Sequence, residues 1–254
     1  MDTVLLDFNM PSLLLLAVAT LVLAYMVFSL VGFGSGLLAS APLAMVMPVA
    51  RVVPLLAMLD CVGSATRGFR ARQAVDRSEL YRLLPSMLLG QVAGVLVLAW
   101  LPLKVMAALL GVFVAVLGWR GLRYSPAAGR KEKAGWSPTA LAIGLFGGLL
   151  GGLFGSGGFV YASYLERRLE RDAFRATQAV LIAVSTAWRV MLCSLAGLID
   201  GALLGTVLLL APAAYAGMWL GHHLDLHLSR EQLFALLNAL LVLSGLALML
   251  RSLG

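Results

Sequence analysis

A chain of 254 residues, 61% hydrophobic and 12% charged, with a mean hydropathy of +0.95, cannot cover its apolar surface in water; soluble domains carry roughly 25% charged residues. Its +7 net charge does not signal a nucleic-acid partner, because the basic residues are confined to short connections between apolar runs, as orientation in a bilayer requires. The sequence holds no Walker, Gly-x-Ser-x-Gly or His-Glu-x-x-His motif, so any transport is expected to be secondary or passive rather than driven by nucleotide hydrolysis.

In chain order, Pro11–Val31 contains no Asp, Glu, Lys or Arg and is long enough for a hydrocarbon core about 30 Å thick. It lacks the basic n-region of a signal peptide, so a spanning helix is expected. It runs into Gly32-Phe33-Gly34-Ser35-Gly36, too rich in glycine to continue a regular helix cheaply. Leu37–Met47 is then too short to cross straight and stops at Pro48, which predicts a broken or partial span. Val49–Phe69 is the next span and leaves through Arg67, Arg70, Arg72, Arg77 and Arg82. Tyr81–Trp100 and Lys104–Leu122 form a hairpin about Leu101-Pro102-Leu103. The polar stretch Arg123–Gly135 reads as a linker. Ser137 and Pro138 then open Thr139–Phe154, which meets Gly155-Ser156-Gly157-Gly158 and a short piece, Phe159–Leu165. Phe174–Leu198, Ala202–Leu224 and Gln232–Leu250 complete the set.

The two ends of the chain match one another. Phe33-Gly34-Ser35-Gly36 recurs 121 positions on as Phe154-Gly155-Ser156-Gly157, and Ser64 matches Ser185 at the same shift. Pro85, Gly90 and Gly94 match Pro212, Gly217 and Gly221, 127 positions on. These matches divide the chain into a first membrane repeat (1–123), a cytoplasmic linker (124–136) and a second repeat (137–254). Three basic loops, Arg67–Arg82, Arg120–Lys133 and Arg167–Arg175, orient it. If the short glycine-flanked pieces cross the membrane, all three loops are cytoplasmic and the halves are inverted. If those pieces re-enter instead, the halves are parallel and the third loop lies outside. The positive-inside rule favours inversion. The expected fold is therefore an all-α integral membrane protein of two inverted repeats, with eight full spans and two short glycine-broken helices.

Inverted repeats with discontinuous helices are the architecture of secondary transporters, which bind substrate near the midplane where the breaks meet. Helices restarting after Gly34-Ser35-Gly36 and Gly155-Ser156-Gly157-Gly158 present unpaired N–H groups and a positive dipole end, both suited to an anion. The plainer reading is that these glycines only allow close helix packing. Arg189 lies well inside an apolar span, where a charge is expensive and usually functional. Its guanidinium fork suits an oxyanion. Ser185, one helical turn away, shares its face, with Thr186 beside it and Gln178 one turn into the same helix. Snorkelling of Arg189 to an interface is the competing reading. Asp60, Ser64 and Arg67 fall on one helical face; Asp60 either carries a coupled proton or neutralises a buried arginine such as Arg189, and the sequence leaves both open. His222, His223 and His227 lie at the end of a span and suit an interface better than a metal. No cofactor or metal is expected.

The stretch Phe28-Ser29-Leu30-Val31-Gly32-Phe33-Gly34-Ser35-Gly36 resembles the first motif of the TauE/SafE sulfite exporter family. The basic run Arg67–Arg77 closing on Val75-Asp76, the Pro85–Gly94 helix, Gly147–Gly158, the Gln178–Arg189 helix and Ile199-Asp200-Gly201 resemble the rest of its pattern. The resemblance implies an inner-membrane permease for small sulfur-containing oxyanions such as sulfite or organosulfonates, driven by an ion gradient. Ser35 stands where a glycine is common in that motif, and the Pro54–Arg67 helix with Asp60 departs from the pattern, which leaves substrate and coupling ion open. A membrane-embedded enzyme built on the histidine group, or a helical scaffold that moves no solute, are the alternatives.

Overall fold

Long apolar runs cut by glycine and proline leave the backbone one way to satisfy itself in lipid, which is helix by helix. The computed structural model describes residues 11–31, 34–123 and 138–223, with scattered positions between 238 and 250. The linker 124–136, Ser137, His227 and most of the expected Gln232–Leu250 span lie outside the described residues. Among the described residues there is no strand. The helices are α1 (Pro11–Val31), α2 (Ser35–Ala44), α3 (Val49–Ala71), α4 (Arg77–Trp100), α5 (Leu103–Arg123), α6 (Pro138–Phe154), α7 (Gly157–Leu165), α8 (Arg171–Leu195) and α9 (Gly201–His223). Five of them, α1, α3, α4, α8 and α9, are long and apolar enough to cross a membrane. Leu15, Leu89, Leu96 and Leu208 on these helices are exposed, which suits a lipid-facing surface.

The glycine breaks are narrower than the motifs suggest. Gly34 (φ 105) and Gly155 (φ 73) adopt the left-handed backbone, which glycine enters without steric cost. Helix resumes at once, at Ser35 and Gly157 rather than at Leu37 and Phe159. Gly36, Gly157 and Gly158 are helical, at about 1 kcal/mol each relative to alanine. At the other end of the second half, Gly197 (φ 69) closes α8 three residues before the expected Leu198. Leu198 N donates to Cys193 O and Gly197 N to Ser194 O, the paired bonds of a Schellman cap.

Packing sets the directions. α3 lies against α8 with numbering that runs oppositely: Gly68 faces Ala183, Ser64 meets Thr186 and Asp60 meets Arg189. The two helices are antiparallel. α1 lies parallel to α9, since a Cβ on Gly217 would strike Val22 O and one on Gly221 would strike Met26 O, each at 2.4 Å. α4 lies parallel to α6, with Gly90 against Leu145 O and Gly94 against Leu149 O at 2.2 and 2.4 Å. The glycine pairs that match across the sequence therefore make the same backbone-to-backbone approach, as small residues do in membranes. Ion pairs close both ends of the α3–α8 pair. At one end Arg51 pairs with Asp200. At the other, Glu79 is buried between Arg82 (2.7 Å), Arg168 (3.7 Å) and the Tyr164 hydroxyl (3.0 Å).

Candidate functional site

The two breaks touch. A Cβ on Gly36 would lie 2.3 Å from Gly155 O, so the start of α2 passes the end of α6 with nothing but backbone between them. Beside this contact is a small cavity of about 390 Å³, its open mouth included. Gly34, Ser35, Gly155, Ser156, Gly157 and Gly158 line it, so the N-terminal ends of both α2 and α7 face one space. The first N–H groups of a helix have no partner within it, and its dipole is positive at that end.

α3 and α8 add opposite charges from either side. Asp60 is 3% exposed and Arg189 2%. Asp60 Oδ1 accepts from the Tyr25 hydroxyl at 2.7 Å and from Ser35 Oγ at 2.8 Å. Its Oδ2 lies 3.5 Å from Arg189 Nη2, a long contact for a charged pair, since such bonds run about 2.7–2.9 Å. Arg189 Nη1 donates to Gly151 O at 2.9 Å. The guanidinium is thus held at the end of α6 and only loosely by its counter-ion. A positive fork and two helix starts are groups suited to a small anion, with one carboxylate beside them.

The family described as Sulfite exporter TauE/SafE matches residues 16–248. The chain belongs to that family. It is also 31% identical over 196 residues, 76% of this chain and 81% of the other, to a protein of Comamonas testosteroni named "Probable inner membrane transporter protein TsaS". No solved structure matches. The chain is accordingly a multi-pass membrane transporter of the inner membrane.

Most of the residues singled out from the sequence meet in this TauE/SafE protein's cavity. Ser185, Thr186, Arg189 and Asp60 line it together with both glycine-serine breaks. Gly36 stands behind the wall, where it permits the approach to Gly155. Ser64 sits one turn away and bonds Thr186 at 2.9 Å. Gln178 does not line the cavity; its Nε2 donates to Gly158 O at 2.7 Å and pins α7 to α8. Ser156 is the N-cap residue of α7, but its hydroxyl donates to Leu150 O at 3.4 Å instead of capping the helix. The Arg67 side chain lies outside the described residues. Trp188 is turned to α4, with Nε1 donating to Leu88 O. His223 stacks on Trp219 in an exposed position, and no metal-binding cluster occurs among the described residues.

Sequence reasoning missed Tyr25, which holds Asp60, and Gln91, whose Nε2 is 2.6 Å from Ser185 Oγ. Both are polar groups inside apolar spans. That is a weaker form of the signal that exposed Arg189, and it was there to be read. Phe28, Phe159 and Ile182 also line the cavity; nothing distinguishes them in sequence from lipid-facing neighbours.

Proposed function

We propose that this transporter is a secondary permease for a small sulfur-containing oxyanion, such as sulfite or an organosulfonate, bound between the two broken helices. The observation that carries the reading is Arg189, a buried guanidinium at the junction of two helix N-termini with a loosely held counter-ion. The sulfur chemistry comes from the family's description; the preference for an anion also has this local support.

The same reading takes residues 1–123 and 137–254 as inverted repeats joined by 124–136. Its support is directional. α1 is parallel to α9, α4 to α6, and α3 antiparallel to its matched helix α8. Connections of a few residues join α3 to α4 and α8 to α9, too short to return along a helix of about 34 Å. α1, α3 and α4 then each run against their matches α6, α8 and α9. The first and third basic loops also meet at one end of the bundle, where Arg168 approaches Glu79 and Asp76 N donates to Thr177 Oγ1. That arrangement agrees with both loops being cytoplasmic.

In this mechanism Asp60 and the substrate compete for Arg189. While Asp60 is ionised, the pair is neutral and the anion must displace a carboxylate. A proton on Asp60 removes that competitor and leaves Arg189 uncompensated, so anion and proton bind together. Tyr25 and Ser35 hold the carboxyl in place through both states. The test is anion flux in proteoliposomes, comparing sulfite, sulfoacetate, sulfate and chloride with and without a pH gradient. Sulfite or sulfonate flux that Arg189→Ala abolishes in a folded protein bears the reading out. Correctly inserted wild type that moves none of them sinks it, and a scaffold without a path of its own becomes the better account.

A further inference from the structure

Behind Arg189 three buried polar atoms have no hydrogen-bond partner among the described residues: Arg189 Nε, the Tyr161 hydroxyl and Gln91 Oε1. Tyr161 and Gln91 are 0% exposed. Native structures leave few such atoms unpaired, because each keeps its full desolvation penalty. Their residues neighbour the same two glycines, Gly151 and Gly157. A Cβ on Gly151 would lie 3.2 Å from Gln91 Nε2 and 3.7 Å from Gly157 Cα, and one on Gly157 would lie 3.1 Å from the Tyr161 hydroxyl. The Gly151 carbonyl also takes the bond from Arg189 Nη1. Gly157 lines the anion cavity, so these residues lie next to it.

The three atoms have a definite chemistry. Arg189 Nε and the Tyr161 hydroxyl are donors. Gln91 supplies an acceptor in the arrangement where its Nε2 faces Ser185 Oγ. A half-turn of that carboxamide exchanges its O and N, and the serine hydroxyl can donate as readily as accept. Three donors then stand beside Gly151 and Gly157 without a partner of their own, a set that suits an anion's oxygen atom and no apolar or cationic group.

We propose that Gln91 and Tyr161 are specificity-determining residues of the transport site, which with Arg189 Nε hold one oxygen of a trioxo anion while its others face α2 and α7. A spherical halide cannot reach both places at once, and a two-oxygen carboxylate loses one contact. The inference rests on the oxyanion reading above. The competing occupant is a single ordered water, which donates to Gln91 Oε1, accepts from the two donors and gives no selectivity.

The experiment uses the full chain in proteoliposomes, as wild type, Tyr161→Phe and Gln91→Met. It measures KM for methanesulfonate and the inhibition constants of formate and chloride. Loss of a hydrogen bond to a charged group predicts a rise of about 10-fold or more in the methanesulfonate KM for either variant. The chloride and formate constants are expected to move less than about twofold, and thermal unfolding to stay near wild type. Equal changes for all three anions, or an unchanged methanesulfonate KM in a folded variant, mean a structural water only and overturn the proposal. If Gln91→Met fails to fold, Tyr161→Phe, which removes one oxygen atom, decides alone. Wild type that neither moves methanesulfonate nor responds to the other anions sinks the transport reading and this inference with it. Active wild type with unselective variants sinks only this inference.

Discussion

The first half of the chain and the second share backbone geometry but not side-chain chemistry. Gly34 and Gly155 break their helices with the same left-handed residue, and the matched pairs Gly90 with Gly94 and Gly217 with Gly221 bring α4 and α9 onto α6 and α1 in the same way. The charges are not repeated. At the position matching Asp60 stands Leu181, and at the one matching Arg189 stands Gly68. Ser35 donates to Asp60, whereas its counterpart Ser156 bonds its own half's Leu150 carbonyl. On the proposed repeat, two copies of one frame put a single carboxylate and a single guanidinium at the cavity. The matched glycines serve the packing, and the unmatched side chains set the cavity's charge.

Breaking the asymmetric part should have the largest effect. Arg189→Ala leaves Asp60 as a buried carboxylate without its cation, a loss of about 3–5 kcal/mol for a buried pair. Flux should fall by about 100-fold or more, and the melting temperature should drop with it. Asp60→Asn combined with Arg189→Gln should recover much of the stability in a detergent melt and none of the flux. Asp60→Asn alone is a smaller lesion. It should leave Arg189 able to hold an anion and abolish the dependence of flux on a pH gradient; a dependence that survives would remove Asp60 from coupling.

The symmetric part predicts equal, moderate costs. Gly90→Ala and Gly217→Ala each place a Cβ within about 2.4 Å of a facing carbonyl, and overpacking of this kind costs about 1–3 kcal/mol. Their melting temperatures should fall together, while Gly205→Ala, with nothing within 4 Å of its Cβ, should not lose stability. Strongly unequal effects of the two matched variants would break the comparison. The smallest effect is expected at the bundle end. Arg51 beside Asp200, helped by the Leu203 N–H, holds that carboxyl below its usual range. A carboxylate with a depressed folded-state value stabilises the fold above its unfolded value and loses that contribution as pH falls through the folded one. The pair is exposed, so solvent screens it. Asp200→Asn should slightly flatten the acid limb of the stability profile, below about pH 4.

How much of this was legible follows from what a bilayer rewards. α1 has the expected limits, Pro11 to Val31, because a run without charges ending in glycines allows little else. Arg189 and Asp60 stood out because charge is costly in lipid. Their meeting was one of two open readings, and the antiparallel contact of α3 and α8 brings it about. Tyr25, Gln91 and Tyr161 were not found. In water an amphipathic stripe marks the face a helix buries, but here lipid and interior are both apolar, so helices such as α1 carry no stripe to read. Of the eight full spans expected, five are described helices that meet the length and apolarity of a crossing, and Gln232–Leu250 lies mostly outside the described residues. α6, at 17 residues, stops short because Gly155 ends it in the middle of the protein, where the site needs a helix end.

The distance along the chain between Asp60 and its arginine has a bearing on biosynthesis. Chains emerge from the ribosome N-terminus first, so the whole first half exists before α8 does. Throughout that interval Asp60 can find Tyr25 and Ser35, both of its own half, but not Arg189. The early intermediate carries a carboxyl group that lacks its cation, a costly group in an apolar surround. Arrival of α8 supplies Arg189, so the contact between them distinguishes a finished protein from an unfinished one.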